Sequence, residues 1–190
     1  YSLRQNMAPH AIHGTLFDRS WEVISSTSST TVLETELGPE WPFKGIVQHR
    51  IEVTDNEIAL QLTVNALQPM PVQVGWHPWF VKPDSSRLRF AAMLPRDSAG
   101  ISTEQRVPQP TEPVDDCFID PEKPLTITIG NVQAMLTSNC SHWVLYDEPL
   151  NATCVEPQSG PPNGVNDSPL VLEPNTSFTK NFTIEVQQIT

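Results

Sequence analysis

The sequence predicts an all-β protein built as an antiparallel sandwich. Segments that alternate apolar and polar residues recur at short intervals, and no segment shows the helical periodicity of an amphipathic helix. The 19 prolines against 8 glycines are typical of many strands joined by turns. Strands without helices between them favour antiparallel pairing, because parallel strands need long crossover connections. We therefore expect residues 1–190 to form a single β-sandwich domain.

The strands are predicted in chain order from this alternation. Residues 21–24 and 31–36 form a first pair across a Ser/Thr turn, and 46–54 and 57–66 form the clearest hairpin, about Asp55-Asn56. Leu125–Ile129 and 132–137 are predicted to form a second hairpin about Gly130-Asn131, whereas residues 94–114 are expected to be mostly loop. Further strands are predicted at 72–80, 87–93, 142–146, 152–155, 170–172 and 178–186.

The charge of the chain limits its partners. A net charge of -11 and a pI near 4.7 argue against nucleic acid and anionic membrane surfaces, whose phosphates would repel the protein. The same charge disfavours a strongly anionic substrate. No apolar run approaches the roughly 20 residues of a spanning helix, and no signal-peptide pattern is found. The chain begins with Tyr1 rather than Met, which leaves open whether a segment precedes it.

The three cysteines favour a cytoplasmic location. Cys117, Cys140 and Cys154 are odd in number, and their spacings match neither a zinc site nor a disulfide framework, so reduced thiols are the simplest interpretation. Secretion stays open, because five asparagines begin an Asn-x-Ser/Thr sequon, although most of these are interpreted as coincidence in a chain rich in Ser and Thr: Asn139, Asn151, Asn166, Asn175 and Asn181.

Two titratable residues are each followed by proline. Pro157 keeps Glu156 out of the helical region, and the Gly160-Pro161-Pro162 run cannot continue a helix or a central strand, so Glu156 is predicted to stand at the end of a strand. His77 precedes Pro78 at the predicted end of another strand. A general acid or base benefits from being held still. The alternative is that Glu-Pro is an ordinary loop dipeptide.

An acid/base site is the chemistry that the residues favour. The serine nucleophile elbow, glycine-rich phosphate loops and close histidine spacings for a metal are not found, so no cofactor and no metal are expected. His77 and Glu156 are then the candidate pair, supported by His13 and Asp115. Each has a simpler interpretation, since His13 precedes a glycine and Asp115 lies in an acidic loop.

The two tryptophans beside His77 also have two interpretations. Trp76 and Trp79 are expected to fill the core rather than to stack on a ligand, although an aromatic face beside a sugar is common in carbohydrate sites.

Four motifs together resemble the aldose 1-epimerase (galactose mutarotase) family in order and spacing, from about Leu3 to the end of the chain. They are His13-Gly14 followed by Trp21-Glu22-Val23, then 75–80 (Gly-Trp-His-Pro-Trp-Phe), 114–118 (Val-Asp-Asp-Cys-Phe) and 154–163 (Cys-Val-Glu-Pro-Gln-Ser-Gly-Pro-Pro-Asn). The resemblance implies a galactose-mutarotase-like antiparallel β-supersandwich, with the sugar cleft on the concave face of a large sheet. It also implies an isomerase that interconverts the α and β anomers of a free aldohexose of the glucose or galactose type, without a cofactor.

The resemblance implies a role for each site residue. Glu156 would be the general base for the C1 hydroxyl, and His77 the general acid for the ring oxygen. His13 would hydrogen-bond the sugar near the ring oxygen, and Asp115 would bind hydroxyls farther round the ring. Asp116 is the alternative to Asp115, because the motif aligns equally well one residue later.

The chain also departs from the family pattern. Family members are usually longer at the N-terminus, where an arginine contacts the sugar, and neither Arg4 nor Arg19 clearly matches it. We therefore expect a sandwich that lacks some N-terminal strands. Two alternative functions follow. A hexose-6-phosphate 1-epimerase would need a basic cluster, for which the chain offers Lys82, Arg87, Arg89 and Arg96, and a non-catalytic carbohydrate-binding module would keep only the cleft. The preferred sugar and the oligomeric state are left open.

Overall fold

The computed structural model describes residues 3, 5, 7–111 and 113–189, so Arg4 lies outside the described residues. This part contains one short helix, α1 (Gly164–Asp167), which is not of the length and apolar character needed to cross a membrane. Its strands, in chain order, are β1 (Glu22–Ser26), β2 (Thr30–Glu36), β3 (Gly45–Val53), β4 (Glu57–Ala66), β5 (Met70–Val72), β6 (Trp79–Val81), β7 (Ser85–Arg87), β8 (Phe90–Leu94), β9 (Asp115–Pro121), β10 (Leu125–Ile129), β11 (Val132–Ser138), β12 (His142–Tyr146), β13 (Ala152–Gln158), β14 (Leu170–Leu172) and β15 (Ser177–Gln188).

The strands form two large sheets and a small ribbon. The eight-stranded sheet has the order β1-β2-β3-β4-β15-β11-β10-β7, the five-stranded sheet has the order β6-β13-β12-β9-β8, and β14 pairs with β5. All pairings of these strands within the described residues are antiparallel. The prediction of an all-β antiparallel fold is therefore confirmed.

The hairpins arise where the alternation is cleanest. β3 and β4 pair from Gly45 with Ala66 to Val53 with Ile58, about the predicted turn. Leu62 and Val64 are buried on one face of β4, whereas Gln61 on the other face hydrogen-bonds the Asn181 side chain. The eight-stranded sheet thus has one apolar face and one polar face, as a sheet covered on one side requires.

The apolar face of the eight-stranded sheet is covered in two places. Residues of both large sheets share one buried cluster, which consists of Phe90, Val114, Phe118, Leu125, Leu136, Trp143, Leu145, Val155 and Phe182. A second cluster joins the residue after β2 and the strands β3 and β4 to the β5–β14 ribbon: Leu37, Val47, Leu62, Val64, Ala66, Met70, Val72 and Leu172. The five-stranded sheet packs against the eight-stranded sheet through one face. Its opposite face has a smaller buried cluster across β8, β9 and β12, which consists of Ala92, Leu94, Cys117, Ile119 and Val144, and it carries polar side chains beside that cluster.

Two predicted strands are interrupted. The segment 72–80 was expected to be one strand, but β5 ends at Val72 and β6 begins at Trp79. β5 pairs in the ribbon and β6 pairs in the five-stranded sheet, so the chain between them crosses from one layer to another. The prediction that His77 ends a strand is therefore wrong, because His77 lies in this connection. The segment 87–93 is divided in the same way, with β7 and β8 in different sheets.

The position of Glu156 also differs from the prediction. Instead of ending near Val155, β13 continues to Gln158, so Glu156 lies inside the strand. Pro157 is tolerated there because its backbone nitrogen and carbonyl point away from β12, toward the side where β6 no longer pairs. On that side its carbonyl accepts a hydrogen bond from the Trp76 amide at 3.2 Å. The proline thus removes no ladder hydrogen bond to β12.

Candidate active site

One row of side chains crosses four strands of the five-stranded sheet. Trp79 pairs with Cys154, Cys154 with Tyr146, and Tyr146 with Asp115. Residues that pair directly on neighbouring strands have side chains on the same face of the sheet. Cys154 and Glu156 also point to the same face, because they are two residues apart in one strand. Glu156 therefore lies one row along on the same face, away from the core between the sheets.

The acidic residues of the site belong to the five-stranded sheet, one of the two large sheets, because Asp115 is carried by β9 and Glu156 by β13. The sugar cleft that the family resemblance implies on a large sheet stays a prediction.

His77 and Glu156 meet at the centre of the site. Nε2 of His77 lies 3.3 Å from Oε1 of Glu156, and the Gln158 amide donates to Oε2 at 3.2 Å. The Glu156 side chain is 8% exposed and that of His77 is 35% exposed. The structure thus joins a buried carboxyl to an imidazole that solvent or a ligand can reach.

Burial shifts both groups toward their neutral forms. Desolvation raises the pKa of Glu156 to about 7, against the opposing effect of the hydrogen bonds with Cys154 and Gln158. Desolvation, and then the neighbouring His13, lower the pKa of His77. Both groups can therefore exchange protons near neutral pH, which is the condition for general acid/base chemistry.

His13 reaches the site from the segment before β1. Its ring lies edge-on to that of His77, with centroids 4.9 Å apart, and Phe17 contacts its other side at 5.9 Å. His13 has φ 70° and Gly14 has φ 68°. A left-handed histidine costs free energy, so the tertiary structure holds this turn in place. His13 is exposed and accessible to a ligand.

Asp115 is brought to the same face with a cationic partner. Nη2 of Arg96 lies 2.6 Å from Oδ1 of Asp115, and the Arg96 backbone amide donates to Oδ1 of Asp116 at 3.2 Å. Asp116 pairs in register with Leu145, whose side chain belongs to the core between the sheets. The register therefore points Asp115, rather than Asp116, toward Glu156.

The two tryptophans beside His77 have different environments. Trp76 packs against both buried clusters, and its indole N–H donates to Nε2 of His49 at 3.3 Å, so the expectation of a core residue is correct for Trp76. For Trp79 it is wrong: this residue is 52% exposed, stacks on His77 with centroids 5.7 Å apart, and meets Tyr146 edge-on at 5.7 Å. Trp79 points outward because it pairs with Cys154 on the outer face of the sheet, while the next residue, Phe80, packs against the core.

The thiol of Cys154 completes the centre. Its Sγ atom lies 3.0 Å from Nδ1 of His77 and 3.0 Å from the Pro78 carbonyl oxygen. Among the described residues, His77, Cys154 and Glu156 are a group that could hold a metal ion, since their donor atoms lie within 4.8 Å of one another. These atoms already contact one another, so a metal ion would replace the contacts that suit acid/base chemistry. The chain's three cysteines are buried and free of disulfide bonds.

Sequence reasoning did not identify Tyr146 or Cys154 as residues of this site, and it considered Arg96 only as a member of a basic cluster for a sugar phosphate. Strand alternation could have identified Cys154, because it lies two residues before Glu156. Strands were predicted at 142–146 and 152–155, but not the register that places Tyr146 opposite Cys154. Arg96 lies in a loop with no periodic signal. Arg19 was considered for the family arginine, and its guanidinium instead packs over Gly38, where a Cβ would lie 2.0 Å from Nη1.

The comparison with protein families gives one match. The sequence model of the family described as aldose 1-epimerase matches residues 1–184. No curated protein matches the chain.

Solved structures share the fold at low sequence identity. A protein described as a candidate aldose 1-epimerase from Escherichia coli K12 has a TM-score of 0.83 and 17% identity, covering 100% of this chain and 76% of its own. A galactose 1-epimerase from Lactobacillus acidophilus has a TM-score of 0.74 and 15% identity, covering 90% and 67%. An aldose epimerase homologue from C. elegans has a TM-score of 0.73 and 13% identity, covering 90% and 70%. These likenesses confirm the galactose-mutarotase-like fold.

Proposed function

The chain belongs to the aldose 1-epimerase family and is an isomerase, and from this premise we propose that it interconverts the α and β anomers of a free aldohexose. The observation that carries the proposal is the 3.3 Å contact between Nε2 of His77 and Oε1 of Glu156. Opening a cyclic hemiacetal needs one proton removed from the C1 hydroxyl and one delivered to the ring oxygen. Both oxygens are bonded to C1, so the base and the acid must be close neighbours.

The reaction proceeds by two proton transfers in each direction. The Glu156 carboxylate accepts the proton of the C1 hydroxyl while His77, protonated on both nitrogens, donates from Nε2 to the ring oxygen. The bond between C1 and the ring oxygen breaks, and its electron pair stays on that oxygen. The aldehyde rotates about C1–C2 and the C5 hydroxyl attacks its other face. Glu156 then returns its proton to the C1 oxygen, and His77 recovers its proton from the attacking hydroxyl. Each such transfer typically contributes about 10² to 10⁴ in rate.

The surrounding side chains supply the binding groups. The Asp115 carboxylate can accept hydrogen bonds from sugar hydroxyls, with Arg96 holding it in place at 2.6 Å. His13 lies beside His77 and can hydrogen-bond the sugar near its ring oxygen. The exposed face of Trp79 offers an apolar platform for the C–H face of a pyranose. This mixture of hydroxyl-binding groups and one aromatic face favours a neutral sugar.

The arrangement of basic residues supports a neutral substrate over a sugar phosphate. Of the four basic residues considered for phosphate, Arg87 lies on the eight-stranded sheet, and Lys82 donates to the Asp147 carbonyl. Among the described contacts of these four residues, only Arg96 contacts a residue of the site. That residue is Asp115, whose carboxylate neutralises the Arg96 charge. A dianionic phosphate would also meet a chain of net charge -11.

The test is the rate of mutarotation above the spontaneous rate, followed by polarimetry with freshly dissolved α-D-glucose and α-D-galactose. Glu156→Gln and His77→Asn are each expected to lose the enzymatic excess, while Glu22→Gln, at an exposed position of β1, keeps it. A wild type that matches buffer with both sugars would contradict the proposal. Retained sugar binding in such an inactive protein would instead identify a carbohydrate-binding module.

A further inference from the structure

The Cys154 thiol lies beside Nδ1 of His77, whereas the Glu156 carboxyl lies beside Nε2. Cys154 is fully buried, and its pairing with Trp79 places it below the Pro78–Trp79 backbone. Sγ lies 3.0 Å from Nδ1 of His77 and 3.0 Å from the Pro78 carbonyl oxygen. Nδ1 faces the thiol while Nε2 faces Glu156, so each ring nitrogen has its own partner.

The direction of these hydrogen bonds follows from the groups involved. A thiol has one proton to donate and lone pairs that accept, whereas the Pro78 carbonyl only accepts. When the thiol proton is donated to the carbonyl, the sulfur is left to accept a proton from Nδ1. The Glu156 carboxyl also faces the thiol and offers a second oxygen acceptor. Whichever oxygen accepts the thiol proton, the sulfur can accept a hydrogen bond only from a protonated Nδ1.

We propose that Cys154 is a positioning residue that holds His77 in the tautomer with the proton on Nδ1, which leaves Nε2 as the nitrogen that exchanges protons. This inference rests on the proposed function for its role in the reaction. In the acid form both nitrogens carry protons, and after transfer to the sugar only Nδ1 does. The opposite tautomer would have no lone pair on Nε2, so it could not recover the proton when the ring closes.

A thiol suits this position better than a carboxylate would. A carboxylate beside Nδ1 would add a second negative charge next to Glu156. Burial and the neighbouring Glu156 raise the pKa of Cys154, so the thiol keeps the proton that it donates to oxygen. Cys154 therefore orients His77 without adding charge to the site.

The first experiment reads the tautomer directly. Protein labelled with ¹⁵N-histidine is studied by two-bond ¹H–¹⁵N correlation NMR at a pH above the His77 pKa but not above the Glu156 pKa of about 7, so that a protonated Glu156 can donate to Nε2, with His77→Asn to identify the His77 signals. The wild type and Cys154→Ser are expected to carry the proton on Nδ1, because a hydroxyl can make the same two hydrogen bonds. Cys154→Ala is expected to shift His77 toward the Nε2–H form. A wild type protonated on Nε2, or an unchanged tautomer in Cys154→Ala, would overturn the proposal.

The second experiment separates positioning from folding. Cys154→Ala is expected to lower kcat for mutarotation by about 10- to 100-fold, by analogy with the groups that orient metal-binding histidines, with KM changed less than about twofold. Cys154→Ser restores most of kcat. Cys140→Ala removes a buried thiol elsewhere and is expected to keep kcat, so its thermal unfolding measures the cost of lost packing alone.

The two hypotheses fail in different measurements. An inactive wild type overturns the proposed function, whereas the NMR spectrum decides the positioning role without any turnover. A loss of kcat in Cys154→Ala with the His77 tautomer unchanged would show that the thiol acts through packing, and would overturn the positioning role.

Discussion

Nε2 of His77 and Oε1 of Glu156 lie 3.3 Å apart although the two residues come from different kinds of structure. Glu156 is inside strand β13, and His77 is in the connection between the ribbon and the five-stranded sheet. Burial opposes ionisation of both groups, so the pair holds one proton at pH values between the lowered pKa of His77 and the Glu156 pKa of about 7. The reactive state has a Glu156 carboxylate and a His77 imidazolium. A Glu156 carboxylic acid with a neutral His77 imidazole contains the same number of protons. Movement of one proton between Nε2 and Oε1 therefore interconverts the two states.

The first prediction concerns the pH dependence of the rate. Because the pKa of Glu156 is raised to about 7 and that of His77 is lowered by burial, kcat/KM is expected to peak on the acid side of pH 7. The alkaline limb reports loss of the proton that the pair shares, and the acid limb reports its second protonation. The measurement is the enzymatic excess rate across pH, corrected at each point for the spontaneous reaction. A rate that continues to rise well above pH 7 would contradict this assignment.

The second prediction concerns the stability of Glu156→Gln. The folded-state pKa of Glu156 is raised, so the folded protein binds more protons than the unfolded chain between pH 4.5 and about 7, and the wild type loses stability as the pH rises through this window. Glutamine cannot ionise and avoids this loss. The variant is therefore expected to gain stability relative to wild type with rising pH, by roughly 3 kcal/mol at most.

Urea unfolding of both proteins on either side of this window measures the difference. Glu22→Gln, at an exposed position, serves as the matched control and is expected to show no comparable pH-dependent gain. The lowered pKa of His77 acts in the other direction, since it costs stability as the pH falls below 6.5. An equal difference between Glu156→Gln and wild type at both ends of the window would show that the carboxyl is not desolvated in solution.

The local alternation of apolar and polar residues was sufficient to predict most strands, because the two strands of a hairpin are neighbours in the sequence and pair with each other. The hairpins at 46–66 and 125–137 were predicted to within about two residues. The strand at 72–80 was not, because an apolar run cannot show where a chain leaves one layer for another. That division depends on which partner strand each half finds, and β13 and β14 lie far away in the sequence.

The candidate site was predictable where a residue has a local signature. The prolines after His77 and Glu156 identified both residues as candidates. Neither residue ends a strand as predicted, because His77 lies in a connection and Glu156 lies inside β13. Arg96 and Tyr146 reach the site through the loop after β8 and the register between β12 and β13, neither of which a single sequence encodes locally. Cys154 was interpreted only as a reduced thiol, because its contact with His77 joins residues 77 positions apart.

The third prediction concerns Trp79. Its ring stacks on His77 and is half exposed, so Trp79→Ala is expected to raise KM for the sugar by roughly two- to tenfold, which corresponds to the loss of one aromatic contact. Trp79→Phe keeps an aromatic face and is expected to restore much of the affinity. Trp143→Phe is the matched control, because Trp143 is buried in the core between the sheets. It is expected to lower the free energy of unfolding by about 1–3 kcal/mol without changing KM. Equal KM values for Trp79→Ala and wild type would exclude a sugar platform at this position.

The fourth prediction decides between the two neighbouring aspartates. Asp115 shares a row with Tyr146 and Cys154, whereas Asp116 pairs with Leu145 on the core side. If Asp115 binds sugar hydroxyls through its carboxylate, Asp115→Asn loses a charge-assisted hydrogen bond, and KM is expected to rise roughly 10- to 100-fold.

Asp116→Asn is the matched variant, since it makes the same chemical change one residue away. Burial raises the pKa of Asp116, and its Oδ1 accepts the Arg96 backbone amide, so its substitution acts on the loop rather than on the sugar. We expect less than about a twofold change in KM, because an asparagine oxygen can accept the same hydrogen bond. Titration of both variants with α-D-glucose and α-D-galactose measures the two values. A larger rise in KM for Asp116→Asn than for Asp115→Asn would mean that β9 presents its other face to the sugar, and the row from Trp79 to Asp115 would then not be the binding surface.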